Sequence, residues 1–193
     1  MMKNGKHILF ISAFILFVVF LTACGKDIET NMSSQMTDFS FTTQDNTSLS
    51  LDDLKGDWWV TYFSYTDCRT VCPRTTANMV NVQKELKASG LQPQIVSFNV
   101  DPDNDKPDDL LAYAEEYDVD LASWDFLTGY EFETIQDLSE QSFQAVLESG
   151  AIDQRAHSYM FYLINPKGEV VKKYDGMSQN ELDILVEDLK TVL

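Results

Sequence analysis

The chain has 193 residues, 44% of them hydrophobic and 12% aromatic, and a formal net charge of −17. That length accommodates one domain with a sizeable core and not obviously two. The charge argues against nucleic acid, whose phosphates call for a basic surface. It names no partner, because a strongly acidic surface also serves solubility alone.

Lys3 and Lys6 precede an apolar run from Ile8 to Leu21 broken only by Ser12. Such a run is shorter than the ~20 residues that span a bilayer and suits the apolar core of an export signal. It ends Leu21-Thr22-Ala23-Cys24-Gly25, which resembles the lipobox of bacterial lipoproteins. That resemblance implies cleavage before Cys24, lipidation of its thiol, and attachment by a lipid anchor to the extracytoplasmic face of the bacterial cell membrane. An uncleaved signal anchor would also leave the globular part exported and tethered. The expected division is a signal peptide over 1–23, a tether over 24–36 and a folded domain over 37–193.

From Phe39 to Thr42 the pattern alternates as a half-buried strand does, and Leu49 to Leu51 repeats it after a polar turn, which predicts a hairpin. Asp52 to Gly56 reads as a short turn or a single helical turn ending on glycine. Trp58 to Phe63 is rich in aromatic and β-branched residues and predicts a strand. A helix from Pro73 to Ala88 follows, with Met79, Val82 and Leu86 on one face and Gly90 as its stop. Gln94 to Val100 is a buried strand, ended by the loop Asp101 to Pro107. Pro107 opens a helix with Leu110, Leu111, Ala114 and Tyr117 on one side. Trp124 to Leu127 is a short strand, and Glu131 to Leu147 is largely helical. Ser158 to Ile164, the turn Asn165 to Gly168, and Glu169 to Tyr174 form a second hairpin. In the last helix Ser178 and Glu181 have the spacing of a capping box, and Leu182, Leu185, Val186 and Leu189 line one face. This order predicts a thioredoxin-like α/β fold, with an N-terminal β-hairpin and a mixed central sheet.

Between the Trp58 strand and the Pro73 helix stand Cys68 and Cys72, spaced Cys-x-x-x-Cys and followed by Pro73. Proline fits the first helical position, so Cys72 is the expected N-cap, with the helix dipole favouring its thiolate. A disulfide closing so short a loop would staple little chain, which makes the pair functional rather than structural. Soft thiolates suit copper or redox chemistry. A third ligand is then needed, and His157 is the one histidine left after removal of the signal peptide. The three arginines, Arg69, Arg74 and Arg155, lie close in sequence to these residues and would favour thiolates. Zinc would want a fourth ligand. Asp101, Asp103 and Asp105 suggest a calcium loop, but Lys106 and Ala112 replace the glycine and glutamate it requires. Met32 and Met36, in the polar tether, read as incidental.

The motifs Tyr65-Thr66-Asp67-Cys68, Cys72-Pro73, Val100-Asp101-Pro102 with Asp105 and Pro107, Trp124 to Gly129, and His157 before Tyr162 to Glu169 resemble the Sco/SenC family, in matching order over about Asp38 to Leu193. The resemblance implies a thioredoxin fold and a copper site, Cu(I) or Cu(II), with Cys68, Cys72 and His157 as ligands and Asp101 behind them. It also implies a metallochaperone role in assembling the CuA centre of cytochrome c oxidase subunit II. Lys106 and the Arg69-Thr70-Val71 spacer depart from the family's commoner residues, which bears on affinity or partner choice. A rival reading makes the same thiols a thiol-disulfide oxidoreductase that reduces the oxidase subunit's copper-ligand cysteines, so that turnover as an enzyme stays open. Disulfide exchange needs only thiolate, leaving group and access, whereas copper ligation needs the imidazole.

Overall fold

The computed structural model describes residues 28–147 and 159–193. Among these, eight strands form one sheet: β1 (Ser34–Gln35), β2 (Ser40–Thr43), β3 (Ser48–Ser50), β4 (Trp59–Ser64), β5 (Gln94–Asn99), β6 (Trp124–Thr128), β7 (Met160–Ile164) and β8 (Glu169–Asp175). Five α-helices accompany them: α1 (Leu51–Leu54), α2 (Cys72–Ala88), α3 (Pro107–Glu116), α4 (Phe132–Leu138) and α5 (Gln179–Val192). The spatial order is β1-β8-β7-β4-β5-β6-β2-β3. The neighbours β4, β5 and β6 run parallel, and β7 lies antiparallel to both β4 and β8.

Every residue of β4 is buried, as expected of a central strand covered on both faces. The period of two sorts its side chains between two cores. Trp59 and Phe63 join Val96, Phe98, Leu127, Tyr162 and Ile164 on one face, under α4 and the chain before β2. Val60 and Tyr62 join Ile95, Trp124, Phe126, Phe161 and Leu163 on the other, under α2, α3 and α5. Their apolar stripes are those read from the sequence: Met79, Val82 and Leu86 in α2, and Leu182, Leu185, Val186 and Leu189 in α5, are all buried. This is the expected α/β layering around a mixed sheet.

Four details differ from the expectations. The predicted tether is seated from Ile28 onward: Ser34 and Gln35 pair with Val170 and Glu169 of β8, and Met36 is buried in the first core. Met32 packs on that core too, so both methionines have a packing role. The Glu131–Leu147 stretch is α-helical only through Leu138, continues as a π turn over Ser139–Phe143, and ends with Gln144 at φ 54°. Ser178 is the N-cap of α5, but its side chain makes no capping bond; the Leu182 N–H donates to its backbone carbonyl at 3.0 Å instead. A reciprocal box does form at α1, where Ser50 and Asp53 cap each other.

Candidate metal centre

The parallel strands β4 and β5 send their C-terminal ends to the same rim, and the loops that leave them meet there. Ligands in open α/β sheets bind at this end. The Val100 N–H donates to the Ser64 carbonyl at 3.0 Å, which holds the two strand ends in register. From Ser64 the chain turns through Tyr65 to Val71 and enters α2.

Val71, not Cys72, is the N-cap, with αR dihedrals and no side-chain bond; Cys72 is the first helical residue and Pro73 the second. The helix starts one residue earlier than expected because Pro73 is tolerated anywhere in the first turn, where N–H groups lack partners. One of those orphan donors is used by the site itself: the Cys72 N–H donates to Cys68 Sγ at 3.3 Å. The Thr70 hydroxyl lies 3.8 Å from the same sulfur. The helix N-terminus therefore supports Cys68. Cys72 has no exposed surface, and burial, reinforced by Cys68, pushes its thiol up. This reverses the expected activation of Cys72 by the helix dipole: desolvation outweighs a partial charge at the end of the helix.

Asp105 fixes the cysteine loop. Its carboxylate accepts the Thr66 N–H at 2.9 Å and the Thr66 hydroxyl at 2.5 Å, two residues before Cys68, while its own carbonyl accepts the Thr128 hydroxyl at 2.9 Å. One residue thus ties together the chain that follows β4, the chain that follows β5 and the last residue of β6. In the sequence Asp105 stands out only as part of a motif and of a calcium-like loop that lacks the required glycine and glutamate. The missing information was strand adjacency, which puts Thr66 and Asp105 in neighbouring loops. Asp101, expected behind the ligands, is buried and organises its own loop: its carboxylate accepts the Asn104 amide at 2.9 Å, and its carbonyl accepts the N–H groups of Asn104 and Asp105. Lys106 donates to the Pro102 carbonyl at 2.9 Å, closing that turn with an ammonium.

The two described arginines stay at the surface. Arg69 bonds Asp67 at 3.1 Å, both largely exposed, and Arg74 is exposed. Arg155, His157 and Cys24 lie outside the described residues, as does the expected signal peptide over 1–23. Among the described residues no three His, Cys, Asp or Glu side chains gather as a metal site, and no helix is long and apolar enough to cross a membrane. The chain returns to the sheet at Met160, three residues after His157. Met160 packs on the same core as Cys68 and Cys72. Tyr162 pairs with Thr61 in an antiparallel ladder, so Met160 falls towards the Ser64 end of β4.

A thioredoxin-like sheet carrying a buried dithiol at its C-terminal rim defines a class of proteins whose chemistry is that of soft metals and disulfides. Within that class the chain belongs to the SCO1/SenC family, whose model matches residues 28–193. It is 39% identical to the SCO1 protein homolog of Bacillus subtilis (strain 168) over 178 residues, covering 91% of this chain and 92% of that protein. The crystal structure of a SCO1/SenC family lipoprotein from Bacillus anthracis str. Ames is 41% identical with a TM-score of 0.79, over 82% of this chain and 95% of that one. BsSco, a member of the Sco family of cytochrome c oxidase assembly proteins in which a disulfide switch was identified, is 36% identical with a TM-score of 0.78, over 86% and 98% of the two chains. Arabidopsis thaliana ScoI with copper bound, at 24% identity, shares the fold with a TM-score of 0.69, over 82% and 98%.

Proposed function

We propose that this protein is a membrane-tethered copper metallochaperone that takes up copper through Cys68, Cys72 and His157 and passes it to the CuA site of cytochrome c oxidase subunit II. The observation that carries this reading is the convergence of both thiols and the chain following His157 on one rim. From Met160, three residues of extended chain span at most about 11 Å. Two thiolates and an imidazole suit Cu(I) and also hold Cu(II). Three ligands leave the metal open, so an acceptor's ligands can join before the donor's leave. Copper is the cargo here. What this chain supplies is a sulfur held by the Cys72 N–H, a loop clamped by Asp105, and a histidine outside the described residues. Asp101 acts behind the ligands through the loop it orders. Lipidation at Cys24 keeps the domain, residues 37–193 with the seated segment from Ile28 before it, on the extracytoplasmic face of the membrane.

A second reading is favoured by the same hydrogen bond: Cys68 Sγ, supported by an N–H donor, would attack a disulfide, with Cys72 resolving the mixed disulfide. The protein would then reduce the oxidase subunit's copper-ligand cysteines. Anaerobic copper titration of the reduced soluble fragment and of its His157→Ala variant separates the two. The chaperone reading expects one equivalent of Cu(II) with thiolate-to-copper charge transfer, lost in the variant while dithiol reactivity persists. Unchanged copper affinity in the variant removes His157 from the site and favours the reductase.

A further inference from the structure

The stretch from Ile28 to Thr37 is fastened along the open edge of the sheet. Asn31 grips β8 twice, its side-chain amide donating to the Lys173 carbonyl at 3.0 Å and its side-chain oxygen accepting the Lys173 N–H at 2.8 Å. The Met32 N–H bonds the Val171 carbonyl at 3.1 Å and the Met36 N–H the Gly168 carbonyl at 2.9 Å. On the other side, the Ser34 hydroxyl donates to the Ser142 carbonyl and the Thr37 N–H to the Ser142 hydroxyl. Ile28 packs on the core beneath α2 and α5, and Met36 is 3% exposed. A segment held by this many bonds, with one anchor buried and another partly buried, is part of the domain and not a leash.

Its direction sets where the chain enters the fold. The strap runs antiparallel to β8, so moving back from Gln35 towards Ile28 follows β8 from Glu169 towards Asp175. Asp175 pairs with Met160, and β7 runs antiparallel to β4. The chain therefore enters beside the end of the sheet that bears Cys68 and Cys72. Only Gly25, Lys26 and Asp27 separate Cys24 from Ile28. Four fully extended steps cover at most about 14 Å. The opposite end of the sheet lies beyond the 17 residues of α2, a rise of about 26 Å.

We propose that the lipid anchor holds this domain with the thiol-bearing end of its sheet turned to the bilayer surface, in a fixed orientation. The partner this arrangement fits is an integral membrane protein whose acceptor ligands stand close to the headgroups, and not a soluble protein approaching from the aqueous side. The orientation rests on lipidation of Cys24, and the test separates the two ideas.

The full lipidated chain, with Cys68→Ser and Cys72→Ser, is given a single spin label at Asp103→Cys or at Gln92→Cys and placed in vesicles containing a nickel-chelating lipid. Both positions are exposed, the first in the loop after β5 and the second in the loop before it, at opposite ends of the sheet. Strong relaxation of the label at 103, with little at 92, is expected. Insertion of about ten Gly and Ser residues between Asp27 and Ile28, a flexible linker, is expected to abolish the difference. Equal relaxation of the two labels in the uninserted protein, or the reverse order, overturns the orientation while lipidation stands. A membrane-extracted protein whose intact mass shows residues 1–23 retained, or no lipid on Cys24, overturns the lipid anchor, and the orientation with it.

Discussion

Asp105 is the residue on which the site's geometry depends most, although it is not a proposed ligand. It satisfies both donors of half-buried Thr66, and losing the acceptor of such hydrogen bonds costs about 1 kcal/mol. Asp105→Ala is expected to lose stability of that order in denaturant unfolding and to weaken copper binding by loosening the cysteine loop. Unchanged stability and affinity would show that the loop is held by other contacts. Burial holds the Asp105 carboxyl above its usual range, with the Thr66 bonds opposing the rise. A carboxyl whose pKa is higher in the fold binds its proton more tightly there. Its contribution to stability is thus fully present below the unfolded value, about 3.9, and is lost as pH rises through the folded value. Nuclear magnetic resonance titration of the Asp105 side-chain carboxyl carbon checks the sign: a midpoint above the ordinary range is expected, and one below it means that the Thr66 bonds win.

At the scale of elements, β8 and α5 are joined by a nearly enclosed ion pair. Lys172 meets Asp188 at 2.6 Å with side-chain exposures of 11% and 15%, and the Tyr174 hydroxyl donates to the same carboxylate oxygen at 2.7 Å. Removing one partner strands a buried charge at a cost of about 3–5 kcal/mol, whereas replacing both by apolar groups is often neutral. Asp188→Ala is expected to lose several kcal/mol (~3–5) of unfolding free energy, and Lys172→Met with Asp188→Leu to recover much of it. Equal losses in the single and double variants would contradict this. The pair was not legible in the sequence, because periodicity reports which face is apolar and not which charges meet across a gap. Elements set by periodicity were legible: the Trp59–Ser64 strand, the stripe of α5 and the hairpin at Asn165. The strap was missed because two paired residues, Ser34 and Gln35, carry no alternation, and Asn31 on the β8 edge and Met36 in the core are held by neighbours that only the fold supplies. The cysteine pair was legible from its flanks, whereas the protonation bias of Cys72 depended on burial that spacing does not report.

The whole molecule combines an acidic domain, a docked strap and a dithiol rim. Delivery, rather than reduction, is the central claim, and the two differ in what leaves the protein. The measurement that tests it most directly mixes the copper-loaded protein, anaerobically, with the reduced, copper-free CuA domain of subunit II and follows the CuA absorption. Delivery predicts that the centre forms while copper leaves Cys68 and Cys72, and that it fails to form with the His157→Ala variant. If the centre fills from copper ions alone at the same rate and yield, and the protein contributes only by reducing an oxidised acceptor, the account is contradicted and the thiols serve as a reductase.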